Sequence, residues 1–266
     1  MTSSSSNSAA LTVLRASGVD HKTFLQGQLT QDIQLLSEDR PAMLAASCDA
    51  KGRVLAVLTV VHDPEGTLIV IRSDIADDWI ETVLRYRLRA KVDIDTVQDR
   101  AIHRNDLDTP GLFELTQQAG TPAPLRWRVG DSVEHIAKAI GDPFEYSTAR
   151  RHRLLAGIAE PGPLTVGKFT PHMLGLQHQN AISFNKGCYT GQEIVARTEH
   201  LGAAKRGPII IASNDGSTLI EGTNVLADDK KLGVIASAED SLAIAVVNLG
   251  VDDALSTADG RALRRV

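Results

Sequence analysis

Short apolar runs separated by turn residues dominate the first hundred positions of the chain. Three of these runs are typical of strands, at 43–48, 54–61 and 67–71. The turn residues of 62–66 predict a hairpin between the last two runs. Ahead of them, Asp20 is placed to cap a short helix through Phe24 and Leu25. After them, a helix is predicted over 73–89 from apolar residues at helical spacing, Ile75, Trp79, Val83 and Tyr86.

The rest of the chain divides into two further regions. Residues 142–155 are predicted to form a helix, with Gly157 as the residue just beyond its end. Four apolar runs without a helical period follow, at 208–212, 224–227, 232–236 and 242–247. Turn sequences such as Asp259-Gly260 favour a small barrel or sandwich there. The sequence thus predicts an α+β protein with three regions, 10–100, 101–206 and 207–266, after a serine-rich disordered segment at 1–9.

Composition and charge limit the classes of partner. The chain is 42% hydrophobic and 23% charged, as globular proteins are, and its formal net charge is -5. A net negative charge disfavours general attraction to nucleic acid or anionic membranes. Basic residues cluster at 85–91 and 150–153. At 85–91, charge that complements a helix dipole is favoured over an RNA or anion contact. Without a secretory signal or a run of about 18 apolar residues, we expect a cytoplasmic protein.

The segment 186–193, Lys-Gly-Cys-Tyr-Thr-Gly-Gln-Glu, contains the strongest indication of chemistry. Thr190 and Glu193 have the spacing of a capping box, which predicts the start of a helix. Cys188 is then expected beside a helix N-terminus and close to Lys186, and both features lower the pKa of a thiol. The alternative is that Cys188 is a small buried hydrophobe and that Glu193 serves only the backbone.

Other catalytic or metal-binding motifs are not found in the sequence. It contains neither a phosphate-binding loop nor a dinucleotide fingerprint, and no pair of CxxC motifs predicts a zinc site. His172 and His178 are predicted to be surface or loop residues rather than metal ligands. Cys48 and Cys188 are too few to bind an iron–sulfur cluster alone, although Cys188 can contribute to a cluster shared with a partner.

Three segments, 24–32, 48–53 and 186–193, carry a resemblance to a known family. Shorter matches occur in the expected order between the last two, at 156–158, 169–171 and 182–184. In these segments the chain resembles members of the YgfZ family, which are folate-binding relatives of the glycine-cleavage T-protein. The resemblance extends over about 13–206, and the remaining C-terminal residues match by pattern alone.

The resemblance implies a T-protein-like arrangement of three domains around a central hole that binds tetrahydrofolate or a one-carbon derivative. It also implies support for assembly or repair of iron–sulfur clusters in client enzymes, including radical enzymes that methylthiolate tRNA. The key thiol of the family corresponds to Cys188. Four neighbours that match the motif of the family are expected to contact the cofactor: Lys186, Tyr189, Gln192 and Glu193.

A folate combines a flat hydrogen-bonding ring with an anionic tail, which suggests further contacts. Gln26 and Gln28 supply amides suited to the edge of a pterin ring. The tail carboxylates are expected to meet a cation, for which the candidates are Arg53, Lys186, Arg150 and Arg153. The thiolate of Cys188 can act as a nucleophile, a redox partner or a transient metal ligand, and the sequence does not choose among these roles.

The alternative function is a folate-dependent one-carbon (aminomethyl) transferase like the T-protein. That enzyme has a Val-Asn-Ala stretch before a catalytic aspartate, whereas the corresponding strand here ends at 70–73 without asparagine. Only spacing places Asp78 opposite that aspartate, and the T-protein has no cysteine equivalent to Cys188. The expected partners are a folate and either iron–sulfur client enzymes or cluster-assembly proteins. Direct binding of tRNA by the basic helix ends is a further alternative.

Overall fold

The computed structural model describes residues 11–97, 100–106, 125–129, 132–138, 146–202, 205–250 and 254–266. The segment predicted to be disordered, 1–9, and the predicted helix start at 142 lie outside these residues. The described parts form an α+β protein with a five-stranded sheet, a three-stranded sheet and a closed barrel. No helix within the described ranges is long and apolar enough to cross a membrane.

Five antiparallel strands form the N-terminal sheet, in the order β2-β3-β4-β1-β5. They are β1 (Leu11–Ser17), β2 (Ala42–Cys48), β3 (Val54–Asp63), β4 (Gly66–Arg72) and β5 (Asp93–Thr96). Asp63 pairs with Gly66, so the predicted hairpin between β3 and β4 is confirmed. The helices of this part are α1 (His21–Gln28), a short 3₁₀ helix (Ile33–Leu35) and α2 (Ser73–Leu84).

The N-terminal sheet is apolar on both faces, because alternate residues of a strand point to opposite sides. On one face Leu58 and Ile69 belong to a buried cluster with Trp79 of α2. The other face, which includes Val57, packs against apolar residues of 154–182 and of the barrel. The sheet is therefore enclosed between helices on one side and the rest of the molecule on the other.

The helix α2 ends at Leu84, earlier than the predicted end at 89. The N–H groups of Tyr86 and Arg87 donate to carbonyls three residues back, which is a tighter turn than an α-helix. Leu88 then adopts a φ of 46°, which a right-handed helix does not allow. The basic residues that follow α2 therefore belong to an exposed turn and not to a final helical turn.

The described part of the middle region contains a small sheet, two helices and a long irregular segment. Its strands, in the order β6-β8-β7, are β6 (Arg100–Asp106), β7 (Leu125–Val129) and β8 (Ser132–Lys138). The helices are α3 (Tyr146–Leu155) and α4 (Gln192–Leu201). The predicted role of Gly157 is confirmed, since it has a φ of 78° and its N–H donates to the Leu154 carbonyl at 2.9 Å. Residues 156–191 contain no helix or strand, and irregular segments of that length are commonly functional.

The C-terminal strands close into a barrel, which decides between the two predicted architectures. The strands are β9 (Arg206–Ser213), β10 (Asn224–Ala227), β11 (Lys230–Glu239), β12 (Leu242–Asn248), β13 (Leu255–Thr257) and β14 (Ala262–Arg265). The antiparallel pairing of β10 with β13 closes the order β10-β11-β12-β9-β14-β13. Ile211, Val225 and Ile235 are fully buried in its apolar cluster, so the barrel has a core of its own.

Buried ion pairs join the three regions. Arg72, at the end of β4, and Arg150, on α3, both donate to Oε1 of Glu221, at 2.5 and 2.6 Å. Arg153, also on α3, lies 3.0 Å from Oε1 of Glu160. Because Arg150 and Arg153 are buried beside these carboxylates, the basic end of α3 does not offer them to tRNA. The structure contradicts the idea that these two arginines bind RNA.

Candidate functional site

The three segments 24–32, 48–53 and 186–193 meet around the end of β2. The N–H of Thr190 donates to the carbonyl of Gly27 at 3.1 Å. A Cβ added to Gly191 would lie 3.1 Å from the Cβ of Cys48 and 2.5 Å from the carbonyl oxygen of Asp49. The third segment therefore approaches the second too closely for any side chain at position 191.

The helix α4 begins at Gln192, with Gly191 as its N-cap residue and without a side-chain cap. The predicted capping box of Thr190 and Glu193 is therefore wrong. Gly191 has a φ of 84°, a conformation that glycine adopts without strain, and it also meets the close approach of Asp49. Glycine satisfies both the positive φ and the close contact with Asp49, so it is the N-cap residue. Thr190 lies one residue before the cap.

Lys186 joins residues 186–191, the Cys188 loop, to the end of α1 through hydrogen bonds. Its ammonium is buried and donates to the carbonyl oxygens of Gln26, Leu29 and Gln31, at 2.7, 2.6 and 2.8 Å. Burial lowers the pKa of Lys186 to about 8, and the nearby carboxylate of Asp32 opposes that effect. Since an ammonium has three N–H donors, the geometry favours a structural role for Lys186 over contact with a ligand.

The two cysteines have opposite surroundings. Cys188 is exposed, whereas Cys48 is buried in the apolar cluster beneath the sheet. Burial, with a smaller contribution from Asp49, raises the pKa of the Cys48 thiol to about 12, so that thiol stays protonated at neutral pH. Cys48 packs against Gly191, three residues from Cys188 along the chain. Cys188 is therefore the thiol that solvent reaches, and its predicted role in chemistry stays a prediction.

A cavity of about 780 Å³ lies beside this loop. Its walls come from the start of β2, from the facing residue Thr59 of β3, from Gln31 and from the irregular segment. Asn185 lines the cavity and is three residues from Cys188, so their Cα atoms are at most about 11 Å apart. The lining residues are Gln31, Arg40, Ala42, Met43, Leu44, Thr59, Ile158, Gln179, Asn180, Ile182, Ser183, Phe184 and Asn185.

None of the side chains predicted to contact a cofactor is among the described residues that line this cavity, and all of them except Arg150 and Arg153 lie in the three segments that meet around the end of β2. The amide of Gln26 donates to Asp32 at 2.9 Å and accepts from the N–H of Ile33 at 2.7 Å, so it shapes the segment after α1. Gln28 lies 3.4 Å from the hydroxyl of Thr190. Arg53 donates to the carbonyl of Lys168 at 3.1 Å.

The remaining predicted contacts are placed as follows. Tyr189 is buried, its ring centroid lies 5.0 Å from Nζ of Lys186, and burial raises the pKa of its hydroxyl. Gln192 is half-buried and Glu193 is exposed, both in the first turn of α4. Arg150 is buried among carboxylates next to the barrel, away from the three segments that meet at Cys48. Contact of these residues with a cofactor stays a prediction.

Sequence reasoning did not single out any of the residues that line the cavity as a ligand contact, although five of them lie in the segments 24–32, 156–158 and 182–184. Asn180, Phe184 and Asn185 occur in a stretch without periodicity, and only the short match at 182–184 pointed to it. Arg40 was missed because it precedes a proline in a turn, a setting typical of unremarkable surface residues.

His172 is buried in the irregular segment, while His178 is exposed. The Nε2 of His172 lies 3.0 Å from a carboxylate oxygen of Glu199 on α4. Among the residues that the structure describes, no group of three His, Cys, Asp or Glu side chains is arranged to bind a metal ion. The contact between His172 and Glu199 therefore joins the irregular segment to α4, which is a structural role.

Curated relatives carry the name of the family that the sequence resembles. No family model matches the sequence. The tRNA-modifying protein YgfZ of Pectobacterium carotovorum subsp. carotovorum (strain PC1) is 31% identical, over 71% of this chain and 64% of the relative. The protein of the same name from Yersinia pestis (strain Pestoides F) is 28% identical, over 74% of this chain and 67% of the relative. The chain is similar to these YgfZ proteins over most of its length.

A solved structure supports the fold of this chain. It is similar to the glycine cleavage system aminomethyltransferase T from Bartonella henselae, with a TM-score of 0.72 over 97% of this chain and 83% of the other. The sequence identity is 15%, so the likeness concerns the fold. The prediction of an α+β, T-protein-like protein with a C-terminal barrel is confirmed. The cavity and the Cys188 loop are therefore parts of a T-protein-like scaffold.

Proposed function

We propose that this chain is a folate-binding accessory protein for the assembly or repair of iron–sulfur clusters, with Cys188 as its reactive group. Its clients would include radical enzymes of tRNA methylthiolation. The relatives named tRNA-modifying proteins support a role connected with tRNA modification. The chain spans about two thirds of the length of those relatives.

The observation that carries the proposal is the exposed thiol of Cys188, three residues along the chain from Asn185, which lines a cavity of about 780 Å³. Small-molecule sites typically measure about 300–1,000 Å³ and combine apolar walls with a few polar groups. Here the apolar walls include the aromatic ring of Phe184, and the polar groups include the amides of Asn180 and Asn185. A flat ring with hydrogen-bonding edges, such as reduced pterin, suits that lining.

The loop is built to hold the thiol in position. Lys186 binds three carbonyl oxygens on one side of Cys188, and Gly191 packs against Asp49 on the other. An exposed thiol on a fixed loop can attack an electrophile, exchange with a disulfide or bind a metal transiently. All three roles fit cluster assembly or repair.

A one-carbon transferase is the second candidate, favoured by the T-protein-like fold. The side chains argue against it. Arg72 occupies the end of β4, where the T-protein has its Val-Asn-Ala stretch, and it pairs with Asp74 and Glu221. Asp78, which spacing places opposite the catalytic aspartate, is exposed on α2 and does not line the cavity.

Complementation of a deletion strain tests the proposal. Wild type is expected to restore tRNA methylthiolation and the activities of several cluster enzymes, and Cys188→Ala is expected to fail at equal protein abundance. Cys48→Ala is the matched control, because it removes the other thiol from a buried site. Equal rescue by Cys188→Ala refutes the role of the thiol.

A one-carbon assay separates the two candidates. The protein is incubated with methylene- or formyl-tetrahydrofolate and candidate acceptors, and transfer is followed by mass spectrometry. Stoichiometric transfer that survives Cys188→Ala supports the transferase and contradicts the accessory role. Salt-dependent gel shifts with tRNA test direct binding, because phosphate contacts weaken steeply as salt rises.

A further inference from the structure

We infer that Arg40 is the residue that binds the anionic end of the cavity ligand, with the ring of that ligand at the end near Asn185 and the Cys188 loop. The inference rests on the proposed function, in which the ligand is a folate. In addition, the ligand has a defined direction in the cavity, and Arg40 is the side chain that binds its carboxylates.

Among the described residues that line the cavity, Arg40 is the charged one. The other twelve described residues are amides, hydroxyls, apolar side chains and Phe184, so no carboxylate among them opposes an anion. A guanidinium presents a planar fork of N–H donors that matches a carboxylate, and it keeps its charge at any physiological pH. The lining therefore suits a ligand that is uncharged over most of its length and anionic at one end.

The backbone holds Arg40 at a defined place on the rim. Its N–H donates to the carbonyl of Ser37 at 3.2 Å, and its carbonyl accepts from the N–H of Ser37 at 3.1 Å. Pro41 follows, and its carbonyl accepts from His62 of β3 at 2.7 Å, which ties the turn to the sheet. The base of the side chain is thus fixed directly before β2, whose first residues, from Ala42, also line the cavity.

The guanidinium of Arg40 is available to a ligand. Arg40 is exposed, and no carboxylate among the described residues forms an ion pair with it. Glu38 and Asp39 precede it in the turn but do not line the cavity. By contrast, Arg150 is enclosed by carboxylates and cannot reach a ligand without breaking those pairs.

The strand β2 sets the direction of the ligand. Arg40 lies just before its first residue, and Cys48, against which the Cys188 loop packs, is its last. A strand from Ala42 to Cys48 measures about 20 Å. The anion-binding end and the thiol end are therefore opposite ends of one strand. An elongated folate fits that separation, with the ring towards Asn185 and the glutamate at Arg40, where further glutamates can extend into solvent.

Calorimetric titration with two probes tests the assignment. The probes are 5-formyltetrahydrofolate and 5-formyl-6-methyltetrahydropterin, which has the ring but no carboxylate. Arg40→Gln is expected to weaken binding of the folate about tenfold and to leave binding of the pterin unchanged, since the loss of one charge-assisted contact affects the tail alone. Arg40→Lys is expected to fall between, because it keeps the charge without the planar fork.

Arg151→Gln is the matched control, an exposed arginine that does not line the cavity, and it is expected to bind both probes as wild type does. If Arg40→Gln binds the folate as tightly as Arg151→Gln, or weakens both probes equally, the inference is overturned and folate binding stands. If wild type binds neither probe, the inference fails together with the proposed function. Thermal unfolding of each variant confirms that the fold is intact.

Discussion

The ammonium of Lys186 lies 2.6 Å from the carbonyl oxygen of Leu29, and its pKa is lowered to about 8 from an ordinary value of 10.5. Between these pH values the unfolded chain binds a proton that the folded chain has released. The contribution of Lys186 to the free energy of unfolding therefore rises with pH across that window and is constant below pH 8. NMR of ¹³C-labelled lysine is expected to show one side chain that titrates near pH 8, and Lys186→Met removes that signal. Uniform titration of all lysines above pH 10 contradicts this prediction.

Substitution of Gly191 is expected to open the junction between the Cys188 loop and the 48–53 segment. Gly191→Ala adds a methyl group 2.5 Å from the carbonyl oxygen of Asp49 at a φ of 84°. The backbone strain alone costs more than about 1 kcal/mol, and the clash adds to it. Gly187→Ala is the matched control, since a Cβ there meets no atom within 4 Å. Denaturant unfolding measures both variants, and equal stability counts against the described junction.

Glu221 is expected to be critical for the attachment of the barrel. Glu221→Gln leaves two buried guanidinium groups, those of Arg72 and Arg150, without their shared carboxylate. Each guanidinium keeps one carboxylate, Asp74 for Arg72 and Glu239 for Arg150. The expected cost is therefore about 1.5–3 kcal/mol, that of hydrogen bonds to charged groups, and not the larger cost of an uncompensated buried charge. Glu81→Gln breaks the exposed pair with Arg85 and is expected to change the free energy of unfolding by less than about 0.5 kcal/mol. Similar effects of the two substitutions contradict the assignment.

The two cysteines are expected to differ in reactivity. In the native protein at pH 7.5, iodoacetamide is expected to label Cys188 and to spare Cys48, whose thiol is buried and has a pKa raised to about 12. Peptide mapping by mass spectrometry locates the label, and Cys188→Ala abolishes it. In urea both cysteines become reactive, which provides the control. Native labelling of Cys48 at a comparable rate contradicts the burial of that residue.

Leu88 offers a route to a more stable protein. Its φ of 46° costs a residue with a side chain about 1–2 kcal/mol, and at 92% exposure packing returns little of that cost. Leu88→Gly is therefore expected to raise the free energy of unfolding by about 0.5–1 kcal/mol, after allowance for the greater freedom of glycine in the unfolded chain. The neighbouring Arg89→Gly, without a positive φ to relieve, is expected to give no gain. Chemical denaturation measures both.

Local signals in the sequence predicted much of the fold. Short apolar runs and the turn residues between them indicated β3, β4 and their hairpin. Gly157 marked the end of α3. The capping box was mistaken because the spacing of Thr190 and Glu193 says nothing about Asp49, which approaches Gly191 from elsewhere in the chain. Local pattern carries no information on such long-range contacts.

The candidate site was predictable in part. The motif drew attention to Cys188, and the structure places that thiol on the surface. The sequence could not show that the cations of Lys186 and Arg150 are already paired. The groups that they bind lie far away along the chain. The position of Arg40 beside a cavity depends on the fold, because β2 and the irregular segment, which are far apart in the chain, line the same cavity.

The closure of the C-terminal barrel limits how another protein can recognise that part of the molecule. Its six strands pair all the way round through β10 and β13, so their backbone N–H and C=O groups are not offered along an open edge. A partner cannot extend this sheet by adding a strand of its own. Recognition there must depend on side chains and connecting turns, which can change in evolution without disturbing the strand pairing.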